Sequence, residues 1–386
     1  MIDFKPPEPR PDFETFASVI KGEKTPEKVH LAELVADFEI VAYLLEKLWG
    51  EKMMTLAEAY SPDQVGEMLA KGKGVMPLAG KKERAFWKQY ISFFHRMGYD
   101  MVTDMAPIGF VMFLTMPSLR VTADTAELSR GQRMWAEEGR GKISSWEDFE
   151  AFSWDGLNLD LEEWCDFFEK NTPEGMKIAA NFSLFEQVLE RLMGYEGLFY
   201  SLVDQPDLVK AVFDKWGEIT EHFYRQAVQC DAVGMVFHSD DMGYKTATMV
   251  SPSKLRELVL PWFKRYAKIA HDAGKMFWLH SCGNVYGIMD DLIDDVKIDA
   301  FHSFQDEIMP VEDFMETYGG RVAGVGGLDV DAMVRMDEEA LRKRCRQILS
   351  RCWPGRFAFG TGNSVTNYIP AKNYLVMLDE AIKFRI

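Results

Sequence analysis

The chain has 386 residues, with 44 Lys and Arg against 61 Asp and Glu, a formal charge of −17. So acidic a balance argues against nucleic acid as a partner, because binding it needs positive charge to displace condensed counterions. A hydrophobic fraction of 47% with 27% charged residues fits a globular protein with a large core and sets aside disordered and fibrous classes.

The first residues, MIDFKPPEPRPDFETF, carry Pro6, Pro7, Pro9 and Pro11 and read as a surface arm. They lack the basic and apolar parts of a secretion signal, and no run of about 18 apolar residues follows, so a cytoplasmic protein without a membrane span is expected. From Asp12 to about Lys73 the pattern predicts helix. In HLAELVADFEIVAYLLEKLWG the apolar residues recur at spacings of three and four, and Gly50 offers a stop. KGKG and GKKER break the pattern, and AFWKQYISFFHRMG predicts a helix ending at Gly98.

The second half repeats a short apolar run followed by a helical stretch. The runs are MKIAANF, AVGMVFHSDD, KMFWLHSCG, IDAFHSFQ, RVAGVGGLD and RFAFGTGNS, with GYDMVTDMA and VHLAEL as further strand candidates. Between them SPSKLRELVLPWFKRYAKIAHDAG predicts a helix capped by Ser251, with Pro252 at its first position. Continuous apolar strands alternating with helices mean a parallel sheet buried on both faces, and this many units favour a (β/α)8 TIM barrel of the α/β class. The expected organisation is an N-terminal arm and helices packed on the barrel over 1–75 and the barrel over 76–386, one structural domain overall.

In such a barrel the chemistry collects at the C-terminal ends of the strands. There the sequence places His238, Asp240 and Asp241, then His280 and Cys282, then His302 and Gln305, then Asp329 and Asn363. Turn chemistry alone accounts for Asp329 but not for His-Ser-Cys-Gly, since neither His nor Cys is a turn former. On a strand end, residues i and i+2 point the same way, so His280 and Cys282 can converge on one metal ion such as zinc or shape a polar pocket. Of the adjacent carboxylates Asp240 and Asp241 at most one enters the mouth easily, where it can act as a base, orient His280 or complete a metal site; either of them can instead cap the following turn. His302 and Gln305 either hold a substrate oxygen or, for the histidine, stay buried and satisfied. His30, His95, His222 and His271 read as structural. The five cysteines contain no CxxC pair, which argues against a disulfide framework, and all but Cys282 read as filler. The 23 Met and 27 Phe are mainly core, and such side chains also suit a pocket for a flat apolar ligand.

The motifs DDMG, SPSKLRELVLPWFKRYAKIAHDAGK, LHSCGNV, DAFHSFQ, GGLDV and GNSVTNYIPAKN together resemble the uroporphyrinogen decarboxylase superfamily, from about Phe16 to the C-terminus. That superfamily also contains the corrinoid-dependent methyltransferases. The resemblance implies a TIM barrel preceded by helices and a tendency to pair as a homodimer. The decarboxylases carry an Arg-rich segment near the N-terminus that binds tetrapyrrole carboxylates, where this chain reads Val29-His30-Leu31-Ala32-Glu33-Leu34. The thiol-directed (coenzyme M type) methyltransferases bind zinc through His-x-Cys and a later Cys. His280 and Cys282 match the first two, while Asn363 aligns with the third, so the resemblance implies a site rebuilt with an oxygen donor such as Asp241 or Glu33. What remains is a likeness to methyltransferases that demethylate methoxylated aromatic compounds. It implies methyl transfer from a small donor to the cobalt (cobalamin) of a partner corrinoid protein, with His238, Asp241, His280, Cys282 and His302 at the chemistry, Glu33, Asp240, Gln305 and Asn363 around the substrate, and Trp278 and Phe301 leading into the mouth. The alternatives are a decarboxylase-like lyase acting on a tetrapyrrole or aromatic acid, a thiol-directed (coenzyme M type) methylcorrinoid methyltransferase, and a non-catalytic corrinoid or tetrapyrrole binder.

Overall fold

The computed structural model of the protein describes residues 3–60, 76–78, 80–104, 115, 119–136, 139–157 and 159–384. The strands are β1 (Met101–Asp104), a hairpin of β2 (Leu119–Ala123) and β3 (Gln132–Ala136), then β4 (Lys177–Ala180), β5 (Val233–Asp240), β6 (Met276–Ser281), β7 (Ala300–His302), β8 (Ala323–Leu328) and β9 (Phe357–Thr361). Seven of them form one curled sheet in the order β1-β4-β5-β6-β7-β8-β9, every pair parallel. Each apolar run of the second half supplies one of these strands, as its burial on both faces requires.

The gap between β9 and β1 is filled by residues 30–36. Leu31 and Ala36 make parallel bridges to Phe359 and Val365. The Ala32 N–H donates to the Phe359 carbonyl at 3.1 Å, and the Phe359 N–H donates to that of His30 at 2.8 Å. On the other side the Thr103 hydroxyl donates to the Glu33 carbonyl at 3.1 Å. These residues occupy the eighth place of a TIM-barrel-like fold. The helix expected from Asp12 onward is thus interrupted. Only Phe13–Ile20, Phe38–Trp49 and Leu56–Ala59 are helical among the described residues up to 60. Sheet closure overrides the helical spacing here, because Ala32 and Leu34 point into the barrel and Leu31 away from it, a period of two.

The barrel interior is filled by small residues from some strands and large ones from others. Ala179, Ala300, Ala323 and Ala358 face Met235, Phe237, Met276 and Trp278. The helix Phe13–Ile20 closes the N-terminal end, its Phe13, Phe16 and Ile20 joining this cluster. Phe16 meets Trp278 edge-to-face at 5.6 Å, and the Asp12 N–H bonds the Asp100 carboxylate just before β1 at 2.8 Å.

The outer layer includes the helices Lys81–Arg96, Pro206–Ala227, Val311–Tyr318, Glu338–Cys352 and Ala371–Lys383. The first begins at Lys81, so KKER forms its opening turn instead of a break, while KGKG and the expected boundary at 75/76 lie outside the described residues. The helix predicted from Ser251 is capped as expected, its hydroxyl accepting from the Lys254 N–H, but it divides into Pro252–Leu258 and Leu260–Asp272. Pro261 has no N–H to continue the ladder. No described helix is long and apolar enough to cross a membrane.

Candidate metal centre

β6 lies between β5 and β7, with His280 opposite Ser239 on one side and His302 on the other. Alternation then sends Ser239 and Asp241, His280 and Cys282, and His302 toward the barrel axis. Beyond the strands the DDMG and HSCG loops cross in close contact. The Gly243 N–H donates to the Cys282 carbonyl at 3.1 Å, and the Asn284 N–H to that of Tyr244 at 2.7 Å. A Cβ on Gly283, whose φ is +77°, would stand 2.3 Å from the Gly243 carbonyl. Only glycine permits both the left-handed backbone and the approach that brings Asp241 to Cys282.

The ligand atoms of Asp241, His280 and Cys282 all lie within 4.8 Å of one another. His280 Nε2 stands 3.4 Å from Cys282 Sγ and 3.7 Å from Asp241 Oδ1. The Cys282 N–H donates to the same Oδ1 at 3.2 Å. Asn363 Nδ2 donates to Sγ at 3.1 Å, and Ser303 Oγ approaches Sγ at 3.9 Å. Ser303 is a non-glycine residue at φ 120°, a costly conformation of the kind that collects at functional sites. Burial, reinforced by the charge of Asp241, pushes the Cys282 thiol well above its usual range. Burial also opposes ionisation of Asp241, but its polar neighbours His280 and Cys282 outweigh it and hold the carboxyl below its ordinary value. One nitrogen, one sulfur and one oxygen converging with space on one side is a donor set that suits zinc, in which three protein ligands leave a position open. Asp241 supplies the oxygen donor. Glu33 does not: its carboxyl lies behind the mouth against Thr361 and the Tyr99 hydroxyl, 2% exposed.

A cavity of about 770 Å³ opens beside the triad, lined by Cys282, Asn363, Gln305, Tyr244, Phe304 and Met336 among others. Gln305 Oε1 accepts from the Gly283 N–H at 3.2 Å. Tyr244, Phe304 and Met336 line this space, but the two aromatic residues expected to lead into it do not. Trp278 is buried in the barrel interior, and Phe301 faces the helices, 5.5 Å from Phe314.

His238 is not brought to the triad. It points to the helix layer, fully buried, with Nδ1 at 2.8 Å from the Tyr224 hydroxyl and Nε2 at 2.9 Å from Asp240 Oδ2. Asp240 accepts from the Leu184 and Glu186 N–H groups, the capping role read for one of the two carboxylates. His302 is buried one layer below the mouth against His280. Asp329 caps its own turn, accepting from Asp331 and Ala332.

Three groups escaped the sequence reading. Thr361 ties β9 to Glu33 and His302 but sits in an unremarkable apolar run. Ser303 is signalled only by its neighbour His302. Glu186, after β4, has a carboxyl raised well above its usual range by burial and then by the charge of Asp241; nothing in the spacing ties it to β5.

No curated protein matches the chain significantly. Among solved structures, a methyltransferase from Methanosarcina mazei superposes with a TM-score of 0.65 at 14% identity, covering 96% of this chain and 98% of that one. A B12-independent methionine synthase from Shewanella sp. W3-18-1 gives 0.46 at 11% identity over 76% of this chain and 82% of its own. At these identities the first likeness is one of fold. The profile of the family described as uroporphyrinogen decarboxylase (URO-D) matches residues 167–384, more than half of the chain and all of the barrel from β4 onward, and the chain belongs to that family.

Proposed function

We propose that this protein is a methyltransferase that moves a methyl group from a small donor, a methoxylated aromatic compound by preference, to the cobalt of a partner corrinoid protein. The observation that carries the reading is the Asp241–His280–Cys282 triad, open on one side to a cavity with room for a single-ring donor. The fold shared with a methyltransferase supports it. The cavity also disfavours a polycarboxylate substrate. Its Lys245 is paired with Glu307 and its Arg335 with Asp331, and Asp329 adds further negative charge.

In the transfer, Co(I) gives its electron pair to the methyl carbon as the C–O bond breaks and its pair stays on oxygen. A zinc ion bound by Asp241, His280 and Cys282 would supply positive charge to that oxygen. The chain's own residues prepare this. Cys282 would hold zinc as its thiolate, its proton passing to solvent, and the Asn363 N–H donates to the sulfur and would temper its charge. Gln305, held by the Gly283 N–H, presents its amide to the cavity. Burial, and then the charge of Asp241, favour the protonated form of Glu186.

Incubating the protein with a Co(I) corrinoid and a panel of methylated ethers, amines and thioethers, while following cobalt absorbance, tests the reading. Methylcobalt should form with at least one donor, wild type should hold one zinc per chain, and Cys282→Ser or Asp241→Asn should slow transfer by at least about 100-fold. Carbon dioxide released from an acid substrate without corrinoid, and no methylcobalt from any donor, would establish the lyase instead.

A further inference from the structure

His302 has no route to the mouth, yet it is held on both ring nitrogens. Nε2 lies 3.1 Å from the Thr361 carbonyl, and Nδ1 lies 2.6 Å from Nδ1 of His280. A carbonyl oxygen has no proton to give, so the proton of the first bond resides on Nε2 of His302. The ring is fully buried, and its two hydrogen-bond partners, a carbonyl and a second imidazole, bring no negative charge, so it is held neutral. A neutral ring protonated on Nε2 has a bare lone pair on Nδ1. The proton in the 2.6 Å contact must then come from His280.

We propose that His302 is a positioning residue that fixes the tautomer of His280, holding its proton on Nδ1 so that the Nε2 lone pair faces Asp241 and Cys282. Nothing at Nε2 itself enforces this: the groups it meets, a carboxylate at 3.7 Å and a sulfur at 3.4 Å, would otherwise draw a proton to that nitrogen. The Thr361 carbonyl therefore sets, through two rings, which nitrogen of His280 is free to bind an electrophile.

The surroundings are shaped for the arrangement. A Cβ on Gly326 would stand 2.8 Å from Cδ2 of His302 and 2.2 Å from the Thr361 oxygen, so the missing side chain leaves the space in which ring and carbonyl meet. Phe237 presses the His302 ring at 5.5 Å, perpendicular to it, and limits its rotation. Thr361 is itself pinned, its N–H donating to Glu33 at 3.1 Å.

The inference deepens the reading of the mouth as a metal centre, and its first test is independent of metal. In protein labelled with 15N-histidine, long-range proton–nitrogen correlation near about pH 8 should show His280 protonated on Nδ1 and His302 on Nε2, the signals being assigned by their loss in His280→Gln and His302→Gln. A proton on Nε2 of His280 at that pH overturns the proposal. The second test is zinc affinity by chelator competition. His302→Phe, which cannot accept the proton, should bind about 10–100-fold more weakly, whereas His302→Gln, whose amide can accept from His280 and donate to Thr361, should stay within about threefold of wild type. Equal affinity of the Phe and Gln variants overturns it. Should the Phe variant fail to fold, the spectrum of the wild type and the affinity of the Gln variant still decide. A wild type that takes up no zinc while showing the stated tautomers removes the metal reading and leaves the positioning role in place.

Discussion

Asp240 and Asp241 are chemically identical neighbours with opposite tasks, separated by strand parity. Asp240 shares the outward face of His238 and caps the segment after β4, while Asp241 shares the inward face of Ser239 and reaches the triad. The same parity rule makes His280 and Cys282 a pair, and that part of the site was legible in the sequence. It also separates His238 from Asp241, three positions on, a consequence the grouping of these residues by motif obscures. Glu33 shows what parity does not reveal. Burial carries its carboxyl from the 4.5 of a free glutamic acid to about 8, against the bonds from Thr361 and Tyr99. Geometry agrees, because the single proton of the Thr361 hydroxyl serves the Asn363 carbonyl, and a protonated Glu33 supplies the second bond between the two side chains. The folded state thus holds this proton more tightly than the unfolded chain. Its contribution to stability is full below about pH 4.5 and is lost as pH rises through about 8. Urea denaturation of wild type and Glu33→Gln at the two ends of that window should show wild type losing on the order of 3–5 kcal/mol relative to the variant. Parallel pH profiles for the two proteins would refute the buried protonated carboxyl.

Among the elements, the parallel strands were the most legible, because burial on both faces leaves them as unbroken apolar runs. Residues 30–36 carried two readings at once, inside the helical stretch from Asp12 and as the strand candidate VHLAEL. HLAELVADFEIV satisfies a helical spacing as well as an alternating one, and only the vacancy between β1 and β9 selects the extended form. The helix Phe13–Ile20 was expected as a helix, but nothing local showed that it stoppers the barrel. Its Phe16 is fully buried, against Trp278 on one side and His30 at 5.1 Å on another. Phe16→Ala should therefore cost about 3–5 kcal/mol, read from denaturant midpoints, because rigid aromatic neighbours held by the closed sheet cannot collapse into the space. A loss below about 1 kcal/mol would mean that the helix covers the barrel end without filling it.

At the scale of the whole molecule, the N-terminal residues are part of the barrel rather than an attachment to it. They give the interior Phe13, Phe16, Ala32 and Leu34 and supply the eighth place in the sheet. We therefore expect residues 76–386 expressed alone to form no cooperatively folded barrel, and the full chain to melt in a single transition. A sharp, reversible melt of the fragment near that of the full chain would show that the first 75 residues only decorate an autonomous barrel.

The bond from the Thr361 N–H to Glu33 joins residues 328 positions apart. During synthesis, then, the segment that must finish the sheet leaves the ribosome 328 residues ahead of the strand it bonds. Until Phe357–Thr361 has been made, residues 30–36 lack the strand they bridge to, and the growing sheet keeps an open edge of the kind that recruits other chains. The interval between those two moments is the period in which a nascent chain of this protein has most need of a chaperone.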